Sequence, residues 1–179
     1  MKPVRINFIG IPFSGKTYWA IQTAALLKRY KYSVEFIEEP FKDWAYFNYP
    51  LPSLADEIVG FGKQLKKELN RLEKGVTVIT DAGLPTICYY LEKYTNINSF
   101  LEIIKSSPFP TTNILLKPLS TEKFNCRVGR WDKHLEQLEE DYVKFKNFLD
   151  KNTIEYVLWE NPTDSELPTL IGKIFPVLK

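Results

Sequence analysis

Cysteine and histidine are nearly missing from this chain. Its 179 residues hold two cysteines, Cys88 and Cys126, and one histidine, His134. The cysteines lie far apart with no metal-ligand spacing around them, which fits reduced thiols without a chemical task. A lone histidine with no second histidine or cysteine nearby gives no zinc site and leaves His134 as a solvated helix residue. Long apolar runs are missing too: none approaches the roughly 20 residues that span a bilayer. The first apolar run starts at Val4, which leaves no room for a signal peptide, so a soluble, cytoplasmic chain without membrane contact is expected. Charge of one sign is also absent, with 24 Lys and Arg against 22 Asp and Glu and a net charge of +2. There is thus no global polyanion-binding signature, and nucleic acid is neither implied nor excluded. No repeat, low-complexity tract or linker interrupts the sequence. Its length suits one domain over 1–179, large enough for a two-sided α/β core.

The strongest positive signal is Gly10-Ile11-Pro12-Phe13-Ser14-Gly15-Lys16-Thr17, which satisfies the phosphate-binding pattern G-x-x-x-x-G-K-[ST]. The apolar run Val4 to Ile9 leads into it, and a helical pattern from Lys16 to Tyr30 follows. In that setting backbone N–H groups of the loop curl around an anion while the helix N-terminus adds its positive dipole end. Lys16 is placed to reach β- and γ-phosphates and the Thr17 hydroxyl to ligate Mg²⁺. ATP or another nucleoside triphosphate is the expected ligand, with Gly10, Pro12, Phe13, Ser14 and Gly15 forming the cradle. The loop has no extra glycine, so it is stiff, and packing beneath the loop suits Phe13 better than stacking on a base.

Five short β-rich runs, 4–9, 34–37, 76–80, 113–117 and 155–159, have the length of strands buried on both faces. Helical patterns lie between them. Residues 16–30 carry Ala20, Thr23, Ala24 and Leu27 on one stripe; residues 54–74 carry Ile58, Phe61, Leu65, Leu69 and Leu72 with lysines opposite. Residues 86–94 and 99–106 predict two shorter helices. Residues 132–151 predict a long one with Leu135, Leu138, Tyr142, Phe145 and Leu149 inward, and 164–175 a terminal one. Alternation of this kind predicts an α/β, three-layer fold. Its sheet is parallel and five-stranded in order 2-3-1-4-5, with helices on both faces. A small lid is expected over about 118–131.

Ligands of such sheets gather at the carboxyl ends of the strands. Strand two ends in Glu38-Glu39-Pro40, and a carboxylate there can take the proton of an attacking hydroxyl or simply be a solvated terminus. The following Phe41 to Tyr49 is rich in aromatics. Strand three runs into Asp81, which can orient Mg²⁺, act as base, or cap the next helix. Strand four exits at Lys117-Pro118, and Lys123, Arg127 and Arg130 follow on a segment suited to neutralising charge during phosphoryl transfer. The lysines of 54–74 read as a solvated outer face. Gln64 is a candidate for the border of an acceptor site.

The order of these features resembles the P-loop small-molecule kinases, in particular the phage and bacterial branch of ribosylnicotinamide kinases. The residues that carry it are the phosphate loop, Phe61-x-x-Gln64, Val78-Ile79-Thr80-Asp81 and Phe124-x-x-x-x-Gly129-Arg130-x-Asp132. The stretch Glu38-Glu39-Pro40-Phe41-Lys42-Asp43-Trp44 is similar to the Glu-Pro followed by Trp of deoxynucleoside kinases. That similarity implies Glu39 as base and Trp44 as a stacking surface, with Glu38 and Gln64 also on the acceptor. The chain departs from it at Asp81-Ala82, where those kinases carry an acid followed by Arg. The wider group includes phage enzymes that phosphorylate 5-hydroxymethyluracil within DNA. The resemblance implies a kinase that moves the γ-phosphoryl group to a hydroxyl of a nucleoside-like acceptor or a modified base. Lys16, Glu39, Asp81, Arg127 and Arg130 would act in catalysis, Arg130 also on the nucleotide, and Thr17 and Asp81 on the metal. Two other readings stand beside it. One is a nucleotide-dependent ATPase or switch acting on a protein or DNA partner. The other is a nucleoside monophosphate kinase, which generally needs several arginines at the acceptor, whereas only Arg71 lies between Glu38 and Asp81.

Overall fold

The computed structural model describes residues 2–42, 52–118 and 135–175. Its sheet has five strands, β1 (Arg5–Ile9), β2 (Val34–Ile37), β3 (Thr77–Thr80), β4 (Thr111–Leu116) and β5 (Val157–Trp159), in the order β2-β3-β1-β4-β5. Every pairing is parallel. The expected fold and strand order are therefore observed. Central β1 is buried at all five positions, so its sequence lacks polar alternation because both faces are covered.

The helices are α1 (Lys16–Arg29), α2 (Leu54–Leu72), α3 (Gly83–Thr95), α4 (Phe100–Lys105), α5 (Leu135–Lys151) and α6 (Leu167–Ile174). On one face of the sheet, Ile6, Phe8, Ile79, Ile114 and Leu116 pack with Trp19, Ala20, Ala24 and Leu27 of α1 and Leu167 and Ile171 of α6. On the other, Ile9 and Leu115 meet Phe61 of α2, Leu84, Ile87 and Leu91 of α3, and Leu138, Phe145 and Leu149 of α5. The stripes read for α1 and for the described part of α5 are those the structure buries. Helix α3 starts three residues before its expected start at Thr86, because Pro85 falls in the first turn, where its missing N–H has no intrahelical partner to lose. Strand β5 is two residues shorter than expected at its start. Among the described residues no helix is long and apolar enough to cross a membrane.

The second face also carries a polar layer. Asn7 donates to Asn113 Oδ1 (2.8 Å) and accepts from Thr80 Oγ1 (2.9 Å), and Asn113 donates to the Glu155 carbonyl (2.9 Å), so side chains tie β3, β1 and β4 together. Gly83, at φ +65°, lets the start of α3 lie on this group; a Cβ there would come within 2.7 Å of Asn7. Arg5 meets Glu68 of α2 at 2.7 Å, with both side chains sealed from solvent, and reaches Ser107 and Thr111 with its other arm. Gln64 donates to the second Glu68 oxygen (2.8 Å).

This ion pair fixes the rotation of α2, and it corrects one expectation. Ile58, read as inward, is 40% exposed, while Glu57, Gly60, Phe61, Gln64, Glu68 and Leu72 form the buried stripe. A helix that puts Glu68 on Arg5 turns Ile58 outward. Removing one partner of a buried pair leaves an uncompensated charge, so Glu68→Leu is expected to cost about 3–5 kcal/mol. The double change Arg5→Met with Glu68→Leu should recover most of that loss in urea denaturation. Strictly additive losses would show that the two residues are not coupled.

Candidate active site

The phosphate loop joins β1 to α1 as the sequence implies. Gly10 has φ +146°, and a Cβ there would lie 2.7 Å from the Leu116 carbonyl oxygen, so β4 allows no side chain at this turn. Phe13 adopts φ +66°, a left-handed conformation unusual for a bulky residue, and its ring is buried in the core beneath the loop. That burial holds the strained backbone in place. Ile11 is buried beside it, and the Ser14 hydroxyl donates to the Ile11 carbonyl (3.0 Å). Gly15 precedes α1 at φ +82° with no side-chain cap, so the first-turn N–H groups are left to the loop's interior. The Lys16 ammonium folds back to the same Ile11 carbonyl at 2.8 Å. Pro12 completes the turn between the two buried residues.

Asp81, only 1% exposed at the end of β3, gathers the site. Its Oδ2 accepts from the Thr17 hydroxyl (2.8 Å) and its Oδ1 from the backbone N–H of Glu39 (2.7 Å). The Lys42 ammonium stands 3.5 Å from Oδ2 and also pairs with Glu38. The residue before α3 is Ala82, and no side chain caps that helix, so Asp81 serves the strand ends and not the helix that follows. A hydroxyl and a carboxylate in contact are hard oxygen donors suited to Mg²⁺, which prefers one or two carboxylates completed by phosphates and water. Among the described residues no group of three or more His, Cys, Asp or Glu converges on a metal position.

Glu38 is exposed and Glu39 half-buried at the exit of β2. This exit is pinned twice, by the Glu39 N–H on Asp81 and by the Phe41 ring on α2, where a Cβ at Gly60 would fall 2.2 Å from the ring. Gln64 is buried in the Arg5–Glu68 group. Trp44, Arg127 and Arg130, with most of the expected lid, lie outside the described residues. Lys117 leaves β4 paired with Glu160 at 2.7 Å.

One residue of this region escaped the sequence reading. Glu57, in the first turn of α2, is 3% exposed, and its Oε2 has no hydrogen-bond partner among the described residues. Burial, with Glu39 and then Asp56 adding negative charge, pushes its carboxyl up to about 7. On α3, burial first and Glu39 second push the Tyr90 hydroxyl well above its ordinary value. The spacing Glu57, Phe61, Gln64, Glu68 was the available signal, a helical stripe masked by the more apolar one that starts at Ile58.

Charge is sorted along the strand axis. The described arginines all sit at the amino edge of the sheet: Arg5 at the start of β1, Arg29 at the end of α1, and Arg71 beside Glu35 near the start of β2. The carboxyl edge holds Glu38, Glu39, Glu57 and Asp81 with Lys16 and Lys42, and past β4 and β5 the Lys117–Glu160 pair.

No protein-family model matches the chain, and no curated protein matches it either. Solved structures do. A thymidylate kinase from Candida albicans aligns with a TM-score of 0.65 at 17% identity, over 98% of this chain and 92% of that one. A thymidylate kinase from Ehrlichia chaffeensis aligns at 0.64 and 16% identity over the whole of both chains. Kti12 from Chaetomium thermophilum, crystallised with ADP-AlF3, aligns at 0.59 and 17% identity over 98% and 99%. At these identities the likeness shows the fold and nothing narrower.

The environment of Glu57 carries a consequence for stability. Its carboxyl ionises near 4.5 in a flexible chain and near 7 in the fold, so between those values the folded form holds more protons. Stability contributed by the neutral group is lost as pH rises through that window. Urea midpoints should fall from about pH 5 to about pH 8, and Glu57→Gln should remove most of that slope. An unaltered slope in the variant would reject the assignment.

Proposed function

We propose that this chain is an ATP- and Mg²⁺-dependent kinase that transfers the γ-phosphoryl group to a hydroxyl of a nucleoside-like acceptor, either a free nucleoside or a 5-hydroxymethyluracil base in DNA. The observation that carries the reading is the Asp81 carboxylate, which joins the phosphate-loop Thr17 to the backbone of Glu39. It sets a donor-side hydroxyl and an acceptor-side acid around one buried charge. A phosphate loop alone suits switches, motors and kinases alike; an acid fixed next to it at the exit of β2 suits transfer to a hydroxyl.

In this reading the loop N–H groups cradle the donor phosphates, and Lys16 exchanges the Ile11 carbonyl for the β- and γ-phosphates. Thr17 and Asp81 would hold Mg²⁺, which would supply positive charge against the phosphates. Glu39 takes the proton of the attacking hydroxyl, with Glu38 beside it and Trp44 toward the acceptor, while Gln64, held on Glu68, stays in the core beneath. Arg127 and Arg130 supply positive charge as the phosphoryl group moves, and closure of their segment excludes water.

The thymidylate kinase likeness raises the competing reading of a phosphate acceptor. A second polyanion beside ATP needs cations, generally arginines with their forked donors. The described arginines lie at the opposite edge of the sheet, which favours a hydroxyl.

Radiolabel transfer from ATP to free nucleosides, ribosylnicotinamide, nucleoside monophosphates and 5-hydroxymethyluracil DNA tests the reading. Lys16→Ala should lower transfer at least about 10²-fold while leaving the urea midpoint unchanged. ATP hydrolysis that ignores every acceptor but rises with a protein partner would replace the kinase by a switch.

A further inference from the structure

We infer that Glu57 is a specificity residue of the acceptor side, its buried carboxyl kept for a hydrogen-bond-donating, uncharged group of the acceptor. This rests on the kinase reading. Three observations lead to it.

First, the carboxyl has no structural employment. The N-terminus of α2 is already closed by Ser53 and Asp56: the Asp56 N–H donates to Ser53 Oγ (3.3 Å) and the Ser53 N–H to Asp56 Oδ2 (2.9 Å). The cation in the α2–sheet layer, Arg5, is answered by Glu68 eleven residues further on. Glu57 is left with a buried oxygen that nothing among the described residues satisfies, a costly arrangement in a side chain only 3% exposed.

Second, its position is that of a ligand contact. Helix α2 begins at the carboxyl edge of the sheet, where parallel α/β folds bind ligands. One turn on, Gly60 carries the Phe41 ring from the β2 exit, so that exit and the first turns of α2 form one wall. From α3, Tyr90 and Tyr94 stack on each other with centroids 5.9 Å apart. The Glu57 carboxyl acts electrostatically on Tyr94 and on Glu39.

Third, the surrounding charge selects what enters. Glu39 and Asp56 face or flank the carboxyl, and no described arginine lies on this edge. A phosphate would meet repulsion here, whereas a hydroxyl, amide or imide N–H would satisfy an oxygen that is otherwise unpaired. Glu57 thereby acts on recognition and leaves proton removal to the β2 exit.

The test compares wild type, Glu57→Met and Glu57→Gln as full-length proteins with Mg·ATP. The acceptor probes are thymidine, ribosylnicotinamide and thymidine 5′-monophosphate. Wild type should turn over an uncharged nucleoside in preference to the monophosphate. Glu57→Met, near in shape but without the polar atoms, should raise the acceptor KM about tenfold or more while the ATP KM moves less than about twofold. The same change should raise the melting temperature at pH 8 by about 2–8 °C, because it deletes an unsatisfied buried group. Glu57→Gln should return most of the acceptor KM. A lower melting temperature with an unchanged acceptor KM in Glu57→Met overturns the inference and leaves the kinase reading standing, as does preference for the monophosphate. Absence of transfer by wild type to every one of these probes and to 5-hydroxymethyluracil DNA removes the kinase reading and this inference with it.

Discussion

A carboxylate taken almost completely out of water must be answered by hydrogen bonds or opposite charge, or its burial is costly. Asp81 is answered by three parts of the chain: the helix after the phosphate loop through Thr17, the β2 exit through the Glu39 N–H, and the ammonium of Lys42. Thr17 belongs to the crossover from β1 to β2, and Glu39 and Lys42 to the one from β2 to β3. The requirement of one buried charge thus brings the phosphate loop and the edge of the neighbouring strand into a single arrangement. The sharp turn after Asp81 belongs to the same demand. Gly83 adopts positive φ and lets α3 start directly on Asn7, which frees the carboxylate from the capping role it would take at an ordinary helix start.

Below that point the two faces of the sheet differ in chemistry. The α1–α6 face is apolar, while the α2–α3 face contains the Asn7–Asn113–Thr80 bridge and the Arg5–Glu68 pair. Apolar packing tolerates some rotation of a helix; a buried guanidinium does not, because its partner must sit at one place. Glu68 sets the phase of α2, and the helical repeat of about 3.6 residues then carries that phase three turns back to Glu57. A residue at the carboxyl edge is directed inward by an ion pair formed near the amino edge. The Phe41 ring on Gly60 reinforces the same rotation.

What the sequence made legible follows this division. The five strands, their parallel order, the stripe of α1 and the phosphate loop rest on local signals of spacing and composition, and they are observed. The rotation of α2 rests on a partner 63 positions away in sequence, Arg5 against Glu68, which no local pattern encodes. The stripe through Ile58 was the more apolar and therefore the more visible, while the buried one carries Glu57, Gln64 and Glu68. Asp81 was legible as an acid after an apolar strand, but its choice between cap and strand-end partner depended on Gly83, whose freedom at positive φ made room for the helix. Trp44, Arg127 and Arg130 fall outside the described residues and rest on the sequence alone.

The fold likeness to thymidylate kinases fixes a scaffold, not an acceptor, since this sheet architecture leaves acceptor choice to the side chains at its carboxyl edge. There the charges decide. A monophosphate brought beside a triphosphate adds repulsion that a site must offset with forked cations placed near both. Of the lysines described at this edge, Lys42 is engaged with Asp81 and Glu38, Lys117 with Glu160, and Lys16 belongs to the phosphate loop, while Glu38, Glu39, Glu57 and Asp81 add negative charge. An uncharged hydroxyl adds no such repulsion; it needs an acceptor for its proton and partners for its other polar atoms. Acids at the β2 exit and an unsatisfied carboxyl on α2 are costly for stability and repel a phosphate, yet both become useful when the incoming molecule brings hydrogen-bond donors instead of charge.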